Sequence, residues 1–224
     1  MNLLLSFPRT GSTWTRYILE CFSQQTVDGH YDKTSVHATI EKNGFDTLSY
    51  VNHNKNVFAT MVHTVPDIRS KPDKLVLSYR RAVEVIPSFQ YSENHANKQV
   101  PIQEWMSRQV PRNFEGRIKQ YLKNIKYYHD FDGPKMILWY NDLMQEPIKT
   151  IEQLTKFFGV DNDDFLRRFE DHYDFHKDLS LKYKSLPKHM SVNTSGKTEM
   201  IEDMLPDDVR NYLNEQFKDI EQGK

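Results

Sequence analysis

The chain has 224 residues, 38% of them hydrophobic and 12% aromatic, which is enough for one α/β domain with its own core and too little for two. A formal net charge of -1 makes no overall demand for nucleic acid, which is not an expected partner, although a local basic pocket could still bind a polyanion. Cys21 is the single cysteine, which excludes an intrachain disulfide and a multi-cysteine zinc site and fits a reducing compartment. The opening Met1 to Phe7 lacks a basic stretch and is too short for a signal segment, and no run of about 18 apolar residues follows, so no membrane span and a cytoplasmic location are expected.

In chain order, strand and helix alternate, which predicts a central parallel sheet flanked by helices. Asn2 to Phe7 reads as a buried strand. Trp14, Tyr17, Ile18, Cys21 and Phe22 recur at helical spacing and predict a helix over Trp14 to Gln24. Strand, short loop and helix therefore begin a βαβ unit. Asp28 to Lys55 is polar and weakly periodic, suited to irregular structure or a short helix. Val57 to Val62 and Lys74 to Tyr79 read as the second and third strands, with a helix after Arg81. Pro111 to Phe131 reads as a long helix with an apolar stripe of Phe114, Ile118, Tyr121, Leu122, Ile125 and Tyr128. Lys135 to Tyr140 is the fourth strand. Pro147 to Phe158 is a helix begun by Pro147 and capped by Gly159, and further helices span Asn162 to Tyr173 and Asp207 to Phe217. No repeat or interdomain linker interrupts residues 1–224, which read as a single domain.

Between the first strand and helix lies Phe7-Pro8-Arg9-Thr10-Gly11-Ser12-Thr13-Trp14. Its chemistry suits a phosphate: Gly11 allows close backbone approach, helix-start amides point outward, the Ser12 and Thr13 hydroxyls add donors, and Arg9 adds charge. The competing reading is a plain turn whose Ser and Thr only cap the helix. A nucleoside-triphosphatase P-loop does not fit, because Gly11 is followed by Ser12-Thr13 and not by Lys and a hydroxyl residue.

This string resembles the 5′-phosphosulfate loop of sulfotransferases that use 3′-phosphoadenosine 5′-phosphosulfate (PAPS), Tyr-Pro-Lys-Ser-Gly-Thr-Thr-Trp. The resemblance implies a P-loop-like sulfotransferase fold, with Arg9 on the 5′-phosphate and bridging oxygen, Thr10, Gly11, Ser12 and Thr13 around that phosphate, and Trp14 against the adenine. After the third strand, Arg80 and Ser88 keep the ends and spacing of the family's 3′-phosphate signature, Arg-Asn-Pro-x-Asp-x-x-x-Ser. Arg81, Ala82 and Glu84 depart from it. Pro87 is expected to delay or kink the following helix, which bears on the reach of Ser88.

Thr60-Met61-Val62-His63-Thr64-Val65-Pro66 is similar to the family's Lys-Thr-His-Leu-Pro segment, which implies His63 as the general base, with Met61 in place of a Lys that assists the transferred group. Leu138 to Leu143 looks like a strand-ending Tyr-Glu-Asp-Met and implies Tyr140 near the adenine. Phe175 matches a second purine contact, and Lys197 is the candidate in the loop that closes over the 3′-phosphate, where the family's Arg-Lys-Gly is absent.

His172 and His176 share a helical spacing but lack a third metal ligand, and solvated histidines are expected. Asp161 to Asp164 suits a helix N-terminus. The basic and aromatic run Lys119 to Tyr128 puts its aromatics on the core stripe.

The reading is thus a sulfotransferase moving the sulfuryl group of PAPS to an acceptor hydroxyl or amine by in-line displacement, leaving adenosine 3′,5′-bisphosphate (PAP) and needing no metal. Arg9 and His63 carry the chemistry. Small-molecule and peptide acceptors both remain open, because the loops Thr26 to Asn56 and Ser92 to Arg112 do not choose between them. The alternative is a non-catalytic adenine-nucleotide-binding protein that keeps the fold.

Overall fold

The apolar run at the start of the chain forms the central strand of a parallel sheet. A computed structural model describes residues 1–29, 35–47, 57–65, 68, 70–95, 100–185 and 201–221. In chain order the elements are β1 (Asn2–Ser6), α1 (Ser12–Ser23), β2 (Val27–Asp28), α2 (Val36–Lys42), β3 (Ala59–Val62), β4 (Lys74–Tyr79), α3 (Ala82–His95), α4 (Ile102–Ser107), a 3-10 turn (Pro111–Phe114) that leads into α5 (Glu115–Asp130), β5 (Lys135–Trp139), α6 (Tyr140–Gln145), α7 (Pro147–Phe158), α8 (Asp163–Asp171), α9 (Tyr173–Ser185), α10 (Ile201–Met204) and α11 (Asp207–Glu221). They divide between two compact units, residues 1–79 with 124–190 and residues 80–123 with 191–224.

The first unit holds the sheet, in the order β2-β3-β1-β4-β5. β1 pairs in parallel with β3, Leu5 opposite Val62, and with β4, Ser6 opposite Ser78. Leu3, Leu4 and Leu5 are buried on both faces, as a strand covered by helices requires. The chain builds β2 and β3 on one side of β1, then crosses to place β4 and β5 on the other. That reversal makes the carboxyl end of β1 a topological switch point, the place where parallel α/β sheets generally bind ligands.

α1 is buried along most of its length because polar groups fasten its inner side as firmly as apolar ones. The Glu20 carboxylate accepts from Val27 N (3.1 Å), Val36 N (3.2 Å), His37 N (3.0 Å) and Ser35 Oγ (2.9 Å). Arg16 donates from Nε and Nη2 to Val27 O. Together they tie the edge strand β2 and the start of α2 to α1, and burial raises the Glu20 pKa against the opposing pull of Arg16. Pro147 starts α7, and Gly159 ends it at φ 74, donating its N–H to Lys156 O. The Asn162 side chain accepts from Phe165 N at the start of α8, with Asp163 and Asp164 in the first turn.

His176 departs from the solvated role expected of it. It is 3% exposed, its Nδ1 lies 2.8 Å from Tyr17 Oη, and its ring stacks on Phe169 at 4.3 Å. His172 is exposed as expected. Among the described residues no group of His, Cys, Asp or Glu could hold a metal ion, and no helix is long and apolar enough to cross a membrane.

The second unit is organised around the start of α3. Arg81 forms a two-bond pair with Glu202, Nη1 to Oε2 at 2.7 Å and Nη2 to Oε1 at 3.1 Å, while Glu221 Oε1 accepts from Ala82 N at 3.2 Å. These contacts fix α10 and α11 to α3 and occupy an end amide of α3. Pro87 does not delay the helix: α3 begins at Ala82 and continues through Pro87 to His95. The anchored start explains this, since Glu84 N and Val85 N already bond to Arg81 O.

Candidate functional site

The segment joining β1 to α1 departs from ordinary backbone at two positions. Arg9 has φ 77 and Gly11 has φ 89. A side chain at positive φ is strained by about 1–3 kcal/mol, a cost tolerated where the surroundings demand that conformation. At Gly11 there is also no room, because an added Cβ would fall 2.9 Å from Cδ2 of Tyr140. Tyr140, the first residue after β5, therefore lies against the loop. Helix α1 takes Gly11 as its N-cap, which has no side chain to cap the helix. Its first amides point out of the helix with the positive end of the dipole, the chemistry an anion requires.

The loop is braced from beneath by hydroxyls. Thr10, 1% exposed, donates from Oγ1 to Phe7 O at 2.8 Å, and Ser6 Oγ lies 2.9 Å from the same Thr10 oxygen. Ser78 Oγ donates to Thr10 O at 2.8 Å. The Thr10 side chain thus holds the loop from inside, whereas Arg9, Gly11, Ser12 and Thr13 are partly exposed.

His63 follows β3 directly, so the register that puts Val62 opposite Leu5 sets it beside the end of β1. Its Nδ1 lies 2.5 Å from Ser6 O. A carbonyl only accepts, so Nδ1 carries a proton, and the neutral form of the ring then has its lone pair on Nε2, the tautomer a general base requires. The carbonyl of His63 accepts from Asn124 Nδ2 at 2.9 Å. Met61, two residues earlier, is 5% exposed.

Trp14 is 6% exposed and belongs to an aromatic cluster, 5.5 Å from Tyr17 in a stacked pair and 6.0 Å from both Phe169 and Tyr173. Two polar atoms of that cluster, Trp14 Nε1 and Tyr173 Oη, are buried without a hydrogen-bond partner among the described residues. Burial, then Asp174 and Tyr140, push the Tyr173 hydroxyl pKa up. Tyr173, which sequence reading did not single out, is half-buried beside Trp14, while Phe175 is 38% exposed on α9.

In the second unit, Arg80 is 6% exposed and clamped at three atoms. Its Nε donates to Glu84 Oε2 at 2.8 Å, its N–H donates to Tyr121 Oη at 3.0 Å, and Tyr121 Oη donates back to Arg80 O at 2.8 Å. Glu84, which stands where the resembled signature has Asp, therefore serves as the partner of Arg80. Ser88 is fully buried on α3, two turns on. Lys197 lies outside the described residues.

The model of the sulfotransferase domain matches residues 2–222, and the chain belongs to that family. Retinol dehydratase, solved with retinol and PAP, is 13% identical with a TM-score of 0.55, over 97% of this chain and 80% of that one. Mouse sulfotransferase SULT7A1, solved with PAP, is 14% identical with a TM-score of 0.47, over 99% and 83%. A sulfotransferase from Alicyclobacillus acidocaldarius is 12% identical with a TM-score of 0.44, over 88% and 98%. No curated protein matches the sequence. The likeness to retinol dehydratase, at 13% identity, shows the fold alone, and family membership supports sulfotransfer as the general chemistry.

Proposed function

We propose that residues 1–224 form one sulfotransferase domain that moves the sulfuryl group of PAPS to an acceptor hydroxyl or amine. The observation that carries this reading is His63, held at the end of β3 with its Nδ1 proton on Ser6 O, one residue before the anion-seeking loop. Arg9 and the amides at the start of α1 bind the 5′-phosphosulfate, with the Gly11 backbone brought close by its left-handed conformation. Arg80, held by Glu84, and Ser88 bind the 3′-phosphate. Tyr140, Trp14 and Tyr173 serve the purine, and Phe175 and Lys197 are further contacts that the resemblance suggests.

PAPS supplies an electrophilic sulfur with PAP as its leaving group. His63 Nε2 takes the proton of the acceptor as the acceptor's O–S or N–S bond forms and the bond from sulfur to the 5′-phosphate oxygen breaks. Arg9 and the loop amides stabilise the charge that grows on that oxygen. The test is transfer of labelled sulfuryl from PAPS to a mixed panel of alcohols, phenols, amines and tyrosine peptides. Labelled product with the native chain and almost none with His63→Ala is expected. PAP binding without transfer to any acceptor would instead favour a non-catalytic nucleotide-binding protein, a reading to which the buried Met61, in place of the family's Lys, lends some support.

A further inference from the structure

Asn124 occupies a position on α5 that the apolar stripe would leave to hydrocarbon. It is fully buried, next to the 4%-exposed Ile125 and one turn before the 9%-exposed Tyr128. Its Nδ2 donates to the His63 carbonyl at 2.9 Å, while its Oδ1 is buried with no hydrogen-bond partner among the described residues. A half-satisfied buried amide costs stability that a leucine there would not. The residue therefore makes little sense as packing and good sense as a hold on one particular carbonyl.

That carbonyl belongs to the first residue after β3, where the sheet ladder no longer fixes the backbone. The ring of the same residue is tied to Ser6 O, and the Ser6 side chain meets Thr10 Oγ1 at 2.9 Å, inside the anion loop. His63 is thus held at two points, by β1 through its ring and by α5 through its main chain. We propose that Asn124 is a positioning residue for His63, holding its main chain so that Nε2 keeps one place at the sheet edge. The inference rests on His63 being the base.

The test is a double-mutant cycle on the full chain: native, His63→Ala, Asn124→Leu and the pair, each measured for kcat, KM, PAP affinity and Tm. Misplacing a reacting group by about an ångström costs up to roughly 10²-fold in rate. Asn124→Leu should therefore lower kcat about 10- to 100-fold, with PAP affinity and Tm unchanged or Tm raised. The pair should be no slower than His63→Ala alone, because the base that Asn124 positions is gone. Native kcat in Asn124→Leu, or losses that multiply in the pair, would overturn the inference. Full activity in His63→Ala would instead overturn the assignment of the base itself. If Asn124→Leu does not fold, Asn124→Ser, smaller than the native residue, goes through the same cycle with the same expected and contrary results.

Discussion

The Tyr140 ring lies where a side chain on Gly11 would have to be, with its Cδ2 only 2.9 Å from the Cβ that alanine would add. Gly11 is held to glycine twice over, by that ring and by its φ of 89. Gly11→Ala should lose about 1–2 kcal/mol for the backbone alone, and more for displacing Tyr140. Chemical denaturation measures the loss. Because Tyr140 packs against the loop, displacing it disturbs the loop, and the stabilisation by PAP should shrink in the same variant. Native stability with native PAP response would contradict the tight fit.

His63→Ala should lower kcat by about 10² to 10⁴, the usual worth of a positioned base. PAP affinity should stay near the native value, since the ring is assigned to the acceptor's proton. Steady-state kinetics beside calorimetric titration separates the two. Weakened PAP binding with intact kcat would assign the residue to the nucleotide instead.

Arg80 and Glu84 form a buried pair at 2.8 Å. Removing one member of such a pair costs about 3–5 kcal/mol of stability, so the informative measurement on Arg80→Ala compares two ligands on one variant. Affinity for PAP should fall about 10- to 100-fold more than affinity for adenosine 5′-phosphate, as loss of a hydrogen bond to a charged group predicts. Equal losses would remove Arg80 from the 3′-phosphate.

Burial, with repulsion from His172 as the lesser cause, pushes the His176 pKa down to about 4. The folded chain keeps His176 neutral, while the unfolded chain protonates it near the ordinary value of about 6.5. Its contribution to stability is therefore complete above pH 6.5 and lost as pH falls toward 4. Tm measured between those limits should fall less steeply in His176→Gln, which cannot titrate. An unchanged slope would show that the ring is not a source of the acid sensitivity.

The sheet was legible in the sequence wherever a strand carried an uninterrupted apolar run, as in β1 and β4, and the loop between β1 and α1 stood out because its residues lie next to one another. β2 was not, because two residues, Val27 and Asp28, contain no period to read. α9 was missed because its buried side is His176, Leu179 and Ser180, a mixture that does not look apolar. Asn124 was hidden for the converse reason: on a helix read by its hydrophobic stripe, a lone amide passes for a solvent position. The role proposed for it rests on a carbonyl 61 residues earlier in the chain. Sequence resemblance aligns letters and pointed to Phe175; what letters do not show is that Tyr173 is the ring packed on Trp14, while Phe175 is 38% exposed.

The most direct measurement of whether this chain is built for PAPS is thermal unfolding with PAP, with adenosine 5′-phosphate and with ATP and magnesium, each at matched concentration. A ligand at a hundred times its Kd adds about 2.7 kcal/mol to the folded state, roughly 5–10 °C in Tm for a chain of this size. PAP should raise Tm by about that much, and the other two should do little. A chain that ignores PAP, or answers ATP with magnesium more strongly, would contradict the assignment of PAPS as its donor.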